Sequence, residues 1–278
     1  MKKVKKVSLI LVLMLCLGNC NKTNSNFVEP GTDNGNGGVI DQPRTADDVI
    51  ADFQALNFQP GINDFSLESP TEGLFWNFRV IVPADASATN KKPLIFSLHG
   101  GAQNIAPDIH KNTDCLISPG LDGIIDAYII SPNSNGKLWY DQNNQIQILA
   151  LYDLMTSNLP IDMNKIAITG YSDGGNGSWF YSQYYSNMFS AAIPMATSYN
   201  TKKSDGSIEA INIPLYVIHG NEDSLFPIAT TEAFVNASID AGSNIQFVIA
   251  PNLDHYQPCD YVPYLRDAAQ WLVNTVWN

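Results

Sequence analysis

Four separated stretches of the 278-residue chain carry side chains suited to one kind of chemistry, acyl transfer through an activated serine. The first is residues 165–175, KIAITGYSDGG. A short apolar run, Ile166-Ala167-Ile168-Thr169, ends at Gly170-Tyr171-Ser172-Asp173-Gly174 and leads into a helix-compatible segment, the strand, sharp turn and helix of a nucleophile elbow. Ser172 is the candidate nucleophile. Glycines two residues to either side suit a turn that holds the serine in a strained backbone conformation and leaves no room for flanking side chains. The same G-x-S-x-G spacing also occurs in ordinary strand-to-helix turns, so partners elsewhere must decide.

The second stretch is Leu98-His99-Gly100-Gly101-Ala102, directly after the apolar PLIFSL. Acyl transfer develops negative charge on the former carbonyl oxygen, and two fixed backbone N–H donors are a simple way to hold it. A glycine-rich turn at a strand end lets the backbone approach a substrate. One donor is therefore assigned to the N–H of Gly101, or of Ala102, and the other to the N–H of Asp173. His99 precedes the serine at a strand edge and reads as structural.

The third stretch is His219-Gly220-Asn221-Glu222-Asp223-Ser224-Leu225-Phe226-Pro227, after the apolar run 215–218. A carboxylate just past a strand end can reach a histidine base and hold its tautomer. Asp223 is the choice and Glu222 the alternative. The fourth stretch is Asp254-His255-Tyr256. In the order serine, acid, histidine the base must follow the acid, and His255 is the only histidine after Asp223. His110 reads as a loop residue.

These stretches need a scaffold that brings strand ends together. Beyond residue 60, apolar runs at 75–82, 94–98, 128–130, 166–169, 191–195, 215–218 and 245–249 read as strands. They alternate with helix-length segments at 144–157, 174–188, 230–241 and 261–276. This pattern predicts an α/β domain with a mostly parallel central sheet flanked by helices. The last helix runs to the C-terminus, so no appended binding module is expected. Thr45 with Asp48 three residues on predicts a capped short helix through Phe53 and Leu56.

On the HGG turn, the segment Asp162-Met163-Asn164-Lys165 leading into GYSDGG, and the turn HGNEDSLFP, the chain resembles an α/β-hydrolase-fold serine esterase. It is similar in particular to the group of feruloyl and acetyl-xylan esterases, polyhydroxyalkanoate depolymerases and the phospholipase/carboxylesterase family. The resemblance covers about residues 70 to 278 and implies a single catalytic domain over 45–278. It implies an acyl-enzyme mechanism through Ser172, Asp223 and His255, without metal or organic cofactor. Asp173 departs from the neutral residue common after the nucleophile in these relatives; its carboxylate is expected to point away, satisfied at the helix N-terminus.

Trp139, Tyr199, Phe226 and Tyr256 fall on strand-end loops and are candidates for stacking on a sugar or aryl ring of the substrate. Trp179, Phe180, Tyr181, Tyr184 and Tyr185 follow the elbow at helical spacing and read as packing.

The formal charge is −12, and loss of Lys2, Lys3, Lys5 and Lys6 with a leader would take it to −16, 27 acids against 11 bases. Such a surface disfavours nucleic acid and free anionic substrates as partners. Four lysines by position 6 and the apolar run 7–17 read as an export signal over residues 1–19, too short to span a bilayer. Leu17-Gly18-Asn19-Cys20 resembles the lipobox of bacterial lipoproteins, which implies lipidation at Cys20 and anchoring in the cell envelope, with a soluble secreted protein as the alternative. Residues 20–44 are rich in Asn, Gly and Thr and read as a flexible linker. Asp33-Asn34-Gly35-Asn36-Gly37 lacks an oxygen ligand at its third position and reads as linker, not as a calcium loop. Cys115 and Cys259 remain, an even pair that could bridge in an oxidising compartment or stay as two buried thiols.

The expected substrate is a small-molecule or polysaccharide ester. Two rival readings are a serine peptidase of the same fold and a catalytically silent envelope lipoprotein that uses the fold for binding.

Overall fold

The apolar runs assemble into one sheet because each is flanked by segments long enough to cover it. The computed structural model describes residues 43–101, 103 and 105–278. The signal segment expected over 1–19, the lipidation candidate Cys20, the stretch 33–37 and the oxyanion alternative Ala102 lie outside these residues, as does the 20–44 linker up to residue 42.

The strands are β1 (Gly61–Glu68), β2 (Phe75–Val82), β3 (Lys92–Leu98), β4 (Tyr128–Pro132), β5 (Ile161–Tyr171), β6 (Ala191–Met195), β7 (Leu215–Gly220) and β8 (Ile245–Ala250). They form one eight-stranded sheet in the order β1-β2-β4-β3-β5-β6-β7-β8. β1 and β2 pair antiparallel, as do β2 and β4, and the pairings from β4 through β8 are parallel. The helices are α1 (Ala46–Gln54), α2 (Ile117–Leu121), α3 (Gln142–Asn158), α4 (Asp173–Tyr184), α5 (Ile228–Asp240) and α6 (Val262–Trp271). This is the α/β-hydrolase architecture that the sequence predicts.

Alternate residues of the central strands feed two cores, as the two-residue period of a strand requires. In β3, Leu94, Phe96 and Leu98 join Phe78, Leu151, Trp179 and Val217 beneath α1, α3, α4 and α5. Ile95 faces the other way and meets Ile129, Ala167 and Tyr216 beneath α2 and α6. Burial on both faces explains why these strands are near-continuous apolar runs.

The strands expected at 75–82 and 191–195 coincide with β2 and β6, and the others lengthen at their ends. Two elements were not expected. β1, GINDFSLE, is an edge strand whose burial alternates over its second half, with Asp64 and Ser66 outward; α2, ISPGL, is a single short turn containing Pro119 and Gly120. The helix expected over 174–188 ends at Tyr184, with a separate 3-10 turn at Ser186–Met188. The helix expected over 261–276 gives way after Trp271 to a π-helical turn, Leu272–Val276. Thr45 caps α1 as predicted, with reciprocal bonds to Asp48.

The linker boundary at 44 needs correction. Arg44 donates to the main-chain oxygens of Glu68 and Ser69 and pairs with Asp52, so it belongs to the folded unit. Among the described residues, no helix is long and apolar enough to cross a membrane.

Candidate active site

The site begins where β5 turns into α4. Ser172 sits between them with φ 57 and ψ −119, a conformation that costs a non-glycine residue on the order of 1–3 kcal/mol. The surrounding packing enforces it. A Cβ on Gly170 would lie 2.2 Å from the Gly174 oxygen, and one on Gly174 would lie 1.9 Å from the Leu98 oxygen. Both glycines of the motif are therefore required by close backbone approach.

The Ser172 hydroxyl reaches His255 Nε2 at 2.8 Å, and His255 Nδ1 reaches Asp223 Oδ2 at 2.8 Å. The structure thus brings together three residues that the sequence nominates from three separate loops. Asp223 and His255 are buried. The other oxygen of Asp223 accepts from the backbone N–H of Leu225 at 3.0 Å and of Phe226 at 2.7 Å, so a tight turn holds the carboxylate. Two loops are fastened to each other beneath the pair: Asn221 N–H donates to Ala250 O and Glu222 N–H to Leu253 O, both at 3.1 Å. Glu222 itself is exposed on that turn, away from His255.

His255 is steadied further by Tyr171, which the sequence reading did not single out, and by Phe226, which it expected to meet substrate. Tyr171 donates its hydroxyl to the His255 main-chain oxygen at 2.8 Å, and the Phe226 ring meets the imidazole edge-on at 4.9 Å. Burial, reinforced by Tyr261, pushes the Tyr171 phenol upward, so it stays a donor. The place of Tyr171 inside GYSDGG was the available signal.

The HGG turn packs directly on the elbow. A Cβ on Gly100 would lie 3.3 Å from the Ser172 Cβ, and Gly101, with φ 84, lines the same cavity as Ser172 and Asp173. The N–H of Asp173 opens α4 and has no acceptor within the helix. Gly101 and Asp173 thus both border the cavity beside the serine.

His99 supports the turn. Its Nδ1 donates to Gly100 O at 2.9 Å while Nε2 accepts from Ser134 N–H at 3.0 Å. Burial lowers its pKa to about 4, which keeps it neutral and in that tautomer. His110, read as a loop residue, lies in a short 3-10 turn, Ile109–Lys111, and is buried against Asn133.

The stacking candidates divide. Phe226 and Tyr256 line the cavity, and Tyr256 is 71% exposed at its mouth. Trp139 does not belong to the cavity wall. It is 0% exposed, donates from Nε1 to His99 O at 2.9 Å, and is packed against Gly177, so it props the HGG turn from behind. Tyr199 is also misplaced by the sequence reading. Its ring stacks on Trp179 at 6.3 Å and its hydroxyl donates to Gln183, which turns it away from Ser172. Of the aromatics on α4, Trp179 and Tyr181 are buried as packing and Tyr184 is exposed.

The Asp173 carboxyl is not satisfied at the helix N-terminus as expected. It makes no hydrogen bond or ion pair with a described residue and is raised by burial to about 6, and the residue is part of the cavity wall. The cavity measures about 780 Å³, with Ile109, Leu116, Ile117, Met195 and Leu225 giving it apolar walls. Cys115 and Cys259 form a disulfide that ties the wall around α2 to the segment after His255. Among the described residues, no group of three or more His, Cys, Asp or Glu side chains could hold a metal ion.

This architecture has solved counterparts. A thermostable esterase superposes with a TM-score of 0.64 at 20% identity over 76% of this chain. Fluorophosphonate-binding serine hydrolase F of Staphylococcus aureus gives 0.59 at 21% identity over 78% of this chain and 100% of its own. Esterase 2 of Thermogutta terrifontis, solved phosphoramylated by tabun, gives 0.59 at 15% over 78% of this chain and 96% of its own. A curated Salmonella typhimurium protein named "Putative carboxymethylenebutenolidase" is 25% identical over 114 residues, 39% of this chain. The chain spans 42% of that protein and 62% of the thermostable esterase. The dienelactone hydrolase family model matches residues 133–273. That match runs from the end of β4 through the elbow, the Asp223 turn and the His255 loop, and the chain belongs to the dienelactone hydrolase family.

Proposed function

We propose that the chain is a serine carboxylic ester hydrolase that works through an acyl-enzyme. The observation that carries this reading is the continuous hydrogen-bonded line from Ser172 Oγ through the His255 ring to Asp223. His255 Nε2 takes the Ser172 proton as Oγ attacks the ester carbonyl, and Asp223 steadies the imidazolium. The N–H groups of Gly101 and Asp173 hold the oxyanion. His255 returns the proton to the leaving alkoxide, the alcohol departs, and water attacks the acyl-Ser172 ester by the same proton route to release the acid.

Family membership and the apolar cavity support an uncharged ester carbonyl as the target. The test is hydrolysis of short-chain p-nitrophenyl esters together with fluorophosphonate labelling. Wild type should turn over the esters and label; Ser172→Ala should do neither, and turnover in that variant comparable to wild type would sink the reading.

We further propose that the natural substrate is an ester substituent of a polysaccharide and that the protein is exported and lipid-anchored at Cys20. The acidic charge and the N-terminal sequence motivate the export, and the disulfide is of a kind that persists in oxidising compartments. Release of acetate or ferulate from esterified glycans tests the first part. Loss of labelled palmitate incorporation in Cys20→Ala tests the second.

A further inference from the structure

We propose that the Asp173 side chain decides which esters the cavity accepts: it favours an ester bearing a hydrogen-bond donor, hydroxyl or ammonium, near the reacting carbonyl and rejects one bearing a carboxylate there. The inference rests on the hydrolase reading of Ser172 and adds a substrate class to it.

The first observation is place. Asp173 follows Ser172 directly, is 5% exposed and lines the same cavity. The second is its lack of a partner. Asp223, equally buried, receives donors from Leu225 N–H, Phe226 N–H and His255, whereas no described residue donates to the Asp173 carboxyl. Nor are its oxygens sealed: the occluded polar atoms without a partner belong to Ser134, Gln147, His219 and Tyr261. Its oxygens therefore reach solvent, and the residue that carries them is part of the cavity wall. A buried carboxylate without a donor is costly, and a ligand that supplies the donor recovers that cost on binding.

The third observation is charge. The other ionisable acid and base on the cavity wall, apart from His99 and His255, are Asp114 and Lys111, and the Lys111 ammonium is held by Asp108 at 2.8 Å. A substrate carboxylate would face Asp173 with that cation already engaged, and two like charges in one cavity disfavour each other. The N-terminus of α4 favours the ionised form of Asp173, and the net charge of −12 disfavours a substrate carboxylate at longer range.

The test uses two isosteric ester series followed by acid release: the ethyl esters of pentanoate, hydroxypentanoate and glutarate, and the butyrates of pentanol, butanediol and hydroxybutanoate. In at least one series, wild-type kcat/KM should favour the hydroxyl ester over the plain one and the plain one over the carboxylate, each by about tenfold. Asp173→Asn should raise the carboxylate ester relative to the plain one by about tenfold, whatever rate change all three share; Asp173→Ser serves if the Asn variant does not fold. Calorimetric binding of the same esters to Ser172→Ala reads the same preference without turnover. Identical ratios in wild type and the Asp173 variants in both series would overturn the inference and leave the hydrolase reading intact. A binding preference in Ser172→Ala with no turnover by wild type would do the reverse, and neither binding nor turnover would sink both.

Discussion

The hydroxyl of Tyr171 donates to the main-chain oxygen of His255 at 2.8 Å across a sequence separation of 84 residues. Because Tyr171 immediately precedes Ser172, the bond ties the nucleophile strand to the loop that carries the imidazole. Tyr171→Phe leaves that carbonyl without its donor. The expected outcome is about 1 kcal/mol of lost stability and an about tenfold fall in kcat, read by thermal unfolding and steady-state kinetics. A variant with the stability loss but unchanged kcat would show that the bond does not aim the ring.

Asp223→Asn keeps the side-chain shape but loses the charge that faces the imidazolium and favours the wrong tautomer of His255. A fall in kcat of about 10³–10⁴-fold is expected. Adding Asp223→Asn to Ser172→Ala should cost little more than Ser172→Ala alone, because the residues act as a unit. Glu222→Gln, on the same turn but exposed, should leave kcat/KM within about twofold of wild type.

The Cys115–Cys259 bridge joins residues 144 apart. Replacing both by Ala should lower stability by roughly 2–5 kcal/mol through the greater freedom of the unfolded chain. Reductant should depress the wild-type Tm by a similar amount and leave that of the double variant unchanged. A reductant effect of equal size on both would assign the loss to something other than this bridge.

Burial raises the Asp173 carboxyl from an ordinary 3.8 to about 6. A group whose folded pKa exceeds its unfolded one contributes stability in full below the unfolded value and loses it as pH rises through the folded value. The penalty of ionising Asp173 is therefore absent near pH 4 and complete above about pH 6. Asp173→Asn should gain Tm relative to wild type on going from pH 4 to pH 8. A Tm difference that is flat with pH would show that the carboxyl does not titrate in this window.

Much of the scaffold was legible because it is written in local pattern. The central strands bury both faces, so they appear as uninterrupted apolar runs, and β2 and β6 coincide with the predicted ranges. β1 was hidden because an edge strand exposes its polar positions, and α2 because five residues containing proline and glycine carry no helical period. Trp139 and Tyr199 show the limit of residue type as a guide. Each is an aromatic on a strand-end loop, as Phe226 and Tyr256 are, but a bond to His99 O and a stack on Trp179 hold them outside the cavity wall.

The sequence alone determined the elbow, its glycines, the order serine, acid, histidine and the alternation of strand and helix, since these depend on turns and periods spanning a few residues. Only the tertiary structure decided that Asp223 and not Glu222 meets His255, that Tyr171 grips the His255 loop, and that Asp173 stands on the cavity wall with no donor to its carboxyl. Those relations join residues from one to more than eighty positions apart through the packing of separate loops on one sheet, and side-chain direction at such a junction is set by what surrounds it.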